Sequence, residues 1–296
     1  MSLSAWRIDI SGFNLLFLGY FCFFQVLILF LFSVFRRDNI KALKFGIILL
    51  QSRELVPSQI RSLAMHIKRF KFIDKVIYYS VIASMVLSWF VLLYSLELSL
   101  EQLNLPKTQR SPTIMPVVPG ITVPLSALVA LVAILLIHEF SHGILAERYG
   151  VRVKSFGIIY FLCLPIGAYV ELDDREIENL PRIQQINIFG VASLANLISG
   201  ILALLLLREL IVLGLVSPRN LLAEGWAAVI FWFAVLSFSI GVVNFLPVPG
   251  LDGYKIMSVL EKTSKSRFAK WIIRNAANLL VTIFLVTLAI NVLLIA

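Results

Sequence analysis

Apolar residues run in long blocks through this chain, separated by short polar stretches. Six blocks, at about 12–35, 73–98, 121–147, 186–207, 226–246 and 276–296, approach or exceed the roughly 20 residues that cross a bilayer as a helix. No internal repeat or low-complexity tract interrupts them. The first block is too long for the apolar core of a cleavable signal peptide, and no small-residue cleavage site follows it. Arg36 and Arg37 come next instead, so it reads as a retained anchor.

Two stretches follow another rhythm. In 36–72, Ile60, Leu63, Ile67 and Phe70 fall at helical spacing among Arg61, Lys68, Arg69 and Lys71. That pattern suits a helix lying on the membrane surface, or equally a solvated connector helix that touches the core. Within 151–180, "VRVKSFGIIYFLCLPIGAYVEL" is β-branched and aromatic, and is broken by Gly157, Pro165 and Gly167. It predicts short strands or a re-entrant hairpin. Non-helical backbone at membrane depth is tolerated only when buried in protein or lining a watery cavity. The expected fold class is an all-α polytopic membrane protein, with about six transmembrane helices and a short membrane-associated β or re-entrant segment. The expected organisation is an anchor (1–35), a basic segment (36–72), a second span with its loop (73–120), a core (121–256) and a connector with a final span (257–296).

Composition supports the membrane: 59% of residues are hydrophobic, against roughly 45–50% apolar in soluble domains. A net charge of +9 could suggest nucleic acid, but its placement argues otherwise. Ten Lys/Arg lie between Arg36 and Lys75, six lie between Lys255 and Arg274, and Arg148, Arg152 and Lys154 follow the third block. The alternate loops hold only Lys107 and Arg110, or Arg208 and Arg219. Positive loops stay in the cytoplasm, so both termini are expected outside and the charge is a topology signal, with no nucleic-acid partner. Cys22 and Cys163 sit in separate apolar segments and imply no disulfide framework.

The chemistry lies at the end of the third block, in "HEFSH", residues 138–142. Residues four apart share a helix face, so His138 and His142 can point at one metal. Glu139 is rotated away from them and fits a general base acting on metal-bound water. With a helix starting near Pro124, His138 is expected roughly 21 Å in from the outer side. The bland reading is that the histidines bond neighbouring helices while Glu139 pairs with an arginine. Intramembrane ionisable residues are nevertheless functional candidates by default. A catalytic zinc needs a third protein ligand. His66 lies in the basic segment and reads as an interfacial residue. Asp252 follows a broken apolar stretch, "NFLPVPGLDG", in which Pro247, Pro249 and Gly250 prevent a continuous helix. Its carboxylate could turn back to the site, or simply cap the helix "GYKIMSVLE".

HEFSH on a membrane helix, then "GAYVELDD", then Asn244, Pro247, Asp252 and Gly253 at Asn-x-x-Pro-x-x-x-x-Asp-Gly spacing, resembles the site-2 intramembrane metalloproteases. The resemblance covers about 120–256. It implies that His138, His142 and Asp252 hold one Zn2+ per chain, with Glu139 as catalytic base. Many members carry Gly-Pro-x-x-Asn in the intervening helix. Here "FGVASLANLISG" keeps Asn196, with serine in place of that proline, so Asn196 is either a substrate contact or a helix-packing residue. Asn244 either orients substrate or a ligand, or caps a broken helix. The loop 208–225 is too short for the PDZ domain of some relatives, so a minimal core is expected.

The implied reaction is hydrolysis of a peptide bond in or near the transmembrane helix of another protein, within the bilayer of the cell membrane, the site opening toward the cytoplasm. An exposed strand within 151–172 could capture the unwound substrate by edge pairing. A metal or solute transporter and an inactive scaffold for membrane clients are the competing functions.

Overall fold

Five helices in the computed structural model are long and apolar enough to cross a membrane. The structure describes residues 40–42, 47–52, 64–66, 72–114, 122–124, 126–161, 164–218 and 225–295, with Gly19, Phe23, Val26, Leu27, Phe30, Ser62 and Val117. The predicted span 12–35 therefore lies almost wholly outside the described residues, as do Cys22, Cys163 and the amphipathic set Ile60, Leu63, Ile67 and Phe70.

The spanning helices are α1 (Ile73–Leu103), α2 (Ala127–Arg148), α4 (Arg182–Val212), α5 (Gly225–Asn244) and α7 (Arg267–Ile295). The short α3 (Asp174–Glu178) precedes α4, and α6 (Asp252–Thr263) lies between α5 and α7. Helices α1, α4 and α7 extend past the predicted blocks by several residues, because turns of mixed polarity continue the backbone ladder beyond the apolar run, whereas α2 starts inside its block. Pro247 and Pro249 end α5 earlier, at Asn244.

The apolar windows of α4 and α5 are 44% buried, against 22% for α1 and α7. That difference makes α4 and α5 the inner layer, with α1 and α7 outside. Phe90, Trp271 and Leu293 stand exposed on the outer helices, as expected where the surrounding medium is hydrocarbon. Val81 and Met85 of α1 pack with Ile186 and Leu197 of α4, Phe245, and Ile256 of α6. A second cluster joins Ala130 and Ile134 of α2 to Trp232 and Leu236 of α5.

Polar ties mark the two ends of the bundle. At one end the buried Arg148 guanidinium donates to Asp74 Oδ1 at 2.6 Å, Tyr149 Oη donates to the same oxygen at 3.0 Å, and Asn187 Nδ2 donates to the Asp74 carbonyl at 2.8 Å. Burial pushes the Tyr149 phenol up to about 12. At the other end, Asn291 Oδ1 accepts the Thr113 amide at 2.5 Å and its Nδ2 donates to Ser99 Oγ at 2.9 Å. The residues that the charge pattern assigns to one membrane face thus meet at one end of the bundle.

Strands β1 (Ile40–Ala42), β2 (Ile47–Ser52), β3 (Val153–Phe161) and β4 (Leu164–Leu172) form one antiparallel sheet in that order. The β3–β4 hairpin fulfils the reading of 151–180. The β1–β2 pair was not foreseen: Leu50 lies opposite Ile158, so the 36–72 segment contributes strands as well as its basic stretch. Its signal is only a four-residue apolar run, Ile47 to Leu50, too short to separate strand from helix. Among the described residues β4 is an edge strand.

Candidate active site

The site is built where α2, α4, β4 and the start of α6 converge. Helix α2 begins at Ala127, three residues later than predicted, because Pro124 and Ser126 form a preceding turn in which the Ala127 amide reaches the Pro124 carbonyl. Its other end closes at Gly150, whose φ of +81° places it in the left-handed region. There the Gly150 amide bonds the Glu147 carbonyl and the Val151 amide bonds the Ala146 carbonyl, the glycine-dependent helix stop. At ~1.5 Å per residue, His138 lies about 15 Å from the Arg148 end, near the helix midpoint.

Asp252 arrives from the opposite side. After Asn244 the prolines turn the chain, and α6 starts against the broken end of α5. A side chain at Gly253 would place its Cβ 2.3 Å from the Phe245 carbonyl oxygen and 2.5 Å from that of Leu246. Only glycine permits this approach, and the approach sets where Asp252 sits. Leu251 holds the N-cap position, and Asp252 is the first helical residue. The capping alternative is not what the side chain does: its carboxylate faces the imidazoles.

His138 Nε2 lies 3.2 Å and His142 Nε2 3.4 Å from Asp252 Oδ2, all three residues being buried. Burial would raise the Asp252 carboxyl, but His142 and His138 facing it more than reverse this and hold it below the usual carboxylate range. The ligand atoms of these residues all lie within 4.8 Å of one another. The donor set fits zinc. Bonds of roughly 2.0–2.1 Å in a tetrahedron imply donor–donor edges of about 3.3–3.4 Å, close to the two His–Asp separations.

Glu139 lies on the same cavity, of about 480 Å³, which is lined also by Tyr169, Asn244 and Lys255. Its Oε2 accepts the Val170 amide of β4 at 2.8 Å. Lys255 Nζ stands 3.9 Å from Asp252 Oδ1 at the half-exposed mouth.

Residues 126–213 and 208–288 match the profile of Peptidase family M50. The chain belongs to this family, that of the site-2 proteases. It is also similar to MJ0971, an uncharacterized protein of Methanocaldococcus jannaschii, at 34% identity over 138 residues. That match covers 44% of this chain and 36% of the archaeal protein, so the chain spans about a third of the length of that relative.

Of the residues predicted for an M50 site, His138, Glu139, His142, Asp252 and Asn244 line the cavity. Asn196 does not. It is fully buried behind His138, with Nδ2 3.1 Å from His138 Nδ1, which suits a support for the ring better than a substrate contact. His66 is exposed, its Nδ1 2.9 Å from the Ser62 carbonyl. Sequence reasoning missed three contacts: the Val170 amide on Glu139, the Ile188 carbonyl at 2.7 Å from His142 Nδ1, and Ser193 Oγ donating to Asp252 Oδ2 at 3.1 Å. The first two are backbone groups, without a residue-type signal. The third stood in plain view as the departure from Gly-Pro-x-x-Asn.

Proposed function

We propose that this chain is a zinc-dependent endopeptidase, holding one zinc, that cuts a peptide bond in or near the transmembrane helix of a membrane-anchored protein. The observation that carries this is the meeting of the Glu139 carboxylate with buried His138, His142 and Asp252 on one cavity. His138, His142 and Asp252 would hold the zinc, which would supply Lewis acidity toward a scissile carbonyl and water. The remaining work falls to the chain itself. Glu139, held in place by the Val170 amide, takes the proton of the attacking water and returns it to the leaving amine. Asn244, the last residue of α5, orients substrate from the cavity wall.

Strand β4 presents the substrate. Val170 directs its amide away from β3 and toward Glu139. In an antiparallel ladder the residue two positions away points the same way, so Ala168 offers its N–H and C=O along the same edge, which no other described strand pairs. A locally unwound substrate helix adds there as a strand, which replaces the hydrogen bonds it loses on unwinding. The Lys/Arg bias orients both termini outside and opens the cavity toward the cytoplasm of the cell membrane.

The test is cleavage of a single-span substrate by zinc-loaded Glu139→Gln beside wild type. The amide keeps the size of the side chain and an acceptor for the Val170 amide, and leaves the three ligands untouched. Zinc content should stay at one per chain while cleavage falls by at least ~100-fold, the lower range for losing an acid–base group. A transporter or scaffold tolerates the change, and equal cleavage rates would refute the protease reading.

A further inference from the structure

Helix α4 departs from the family pattern at Ser193, and the structure puts that departure in contact with the site. Ser193 is fully buried, and its Oγ donates to Asp252 Oδ2 at 3.1 Å. That oxygen is the one both imidazoles face, at 3.2 and 3.4 Å. One turn along α4, the fully buried Asn196 amide meets His138 Nδ1 at 3.1 Å. Earlier in the same helix, the Ile188 carbonyl meets His142 Nδ1 at 2.7 Å. Each of the three donor groups is therefore held from behind by α4.

We propose that Ser193 and Asn196 are positioning residues that fix Asp252 and His138 for zinc, so that α4 acts as the outer shell of the whole site. The proposal rests on the zinc reading above. A neutral imidazole that binds metal through Nε2 carries its proton on Nδ1, and that N–H needs an acceptor. For His142 the acceptor is the Ile188 carbonyl. For His138 it is Asn196 Oδ1, which among the described residues is buried without a partner while Nδ2 faces the ring. A half-turn of the amide exchanges its two ends and gives each the role it needs. The Ser193 hydroxyl uses a lone pair of Oδ2 that a metal leaves free, and so stops the carboxylate from swinging. Proline at 193 would offer no donor and would remove a bond from α4, which here runs unbroken from Arg182 to Val212. In this chain the position has become a ligand support.

The experiment measures zinc affinity by competition with a chromophoric chelator, on the full chain in detergent. All variants carry Glu139→Gln, so that activity plays no part. Ser193→Ala and Asn196→Ala should each weaken zinc by about 10–100-fold, the usual effect of losing an outer partner. Ser193→Thr, which keeps the hydroxyl, and Asn196→Asp, which keeps an acceptor for the ring N–H, should restore binding toward wild type. The unfolding temperature of the zinc-free protein should be the same in all, which separates ligand support from packing. Zinc affinity within twofold of wild type in both alanine variants would overturn the proposal and leave the zinc reading standing. Wild-type protein that takes up no zinc would overturn both.

Discussion

Gly253 touches no substrate and offers no ligand, yet Gly253→Ala should disable the site. The new Cβ would lie 2.3 Å from the Phe245 carbonyl oxygen, 2.4 Å from its carbon and 2.5 Å from the Leu246 oxygen. All three are backbone atoms, so no side chain can rotate out of the way. Relief to an ordinary contact near ~3.5 Å requires a shift of roughly 1 Å between the start of α6 and the end of α5. Asp252 is the adjacent residue and moves with it. Its Oδ2 then stands about 4 Å from the imidazoles rather than 3.2 and 3.4 Å, too far for three donors to share one zinc with bonds of roughly 2 Å. Overpacking of this kind costs about 1–3 kcal/mol of stability, and a 1 Å misplacement near the chemistry costs on the order of 100-fold in rate. Chelator competition on Gly253→Ala should therefore show zinc affinity reduced at least ~10-fold, with cleavage falling further and the protein still folded by circular dichroism. If a folded Gly253→Ala variant binds zinc as tightly as wild type, the close approach does not place Asp252 and the reasoning fails.

Three further outcomes follow from the same geometry. Metal analysis of His138→Ala, His142→Ala and Asp252→Ala should show zinc occupancy well below one per chain, while His66→Ala, at an exposed site, keeps it; full occupancy in Asp252→Ala would assign the third ligand wrongly. Cysteine labelling of intact cells with an impermeant reagent should reach a probe at Ser2 and miss one at Ser62, and the reverse pattern would move the mouth of the cavity to the outer face. Ala168→Pro removes one outward amide from the β4 edge without touching Glu139 or the ligands, so KM for a single-span substrate should rise several-fold at constant zinc content; an unchanged KM would exclude edge pairing.

What could be read from the sequence divides by physical cause. Five of the six spans were legible in the described residues, because a bilayer demands long apolar blocks whatever the packing inside. Their ends were not: α2 starts at Ala127 and α4 at Arg182, positions decided by local turns and by polar first turns rather than by hydropathy. That His138, Glu139, His142 and Asp252 would meet at one cavity was legible, because metal chemistry restricts residue type and spacing. The choice between capping and ligation at Asp252 lay outside local pattern, since both roles use the same carboxylate at the same place. The adjacent Gly253 sets where that carboxylate lies, through a close approach to Phe245 that exists only once α5 is broken and α6 folds back.

The groups that hold the proposed zinc ligands were the least legible, and the reason is general to sites of this kind. A ligand must be histidine, cysteine or a carboxylate, but its support need only be a hydrogen-bonding atom at the right point in space. Here those atoms are one backbone carbonyl, at Ile188, and two ordinary polar side chains, at Ser193 and Asn196. Serine and asparagine in an apolar helix also serve interhelical packing, so type alone does not distinguish support from glue. Position does. Ser193 and Asn196 are three residues apart and so share one face of α4, and that face is turned to α2 and α6. The face that the family pattern marks with proline and asparagine is thus the face that meets Asp252 and His138 in this chain. A change of residue at such a position is a change in how the ligand is held, and zinc affinity is where it should first be seen.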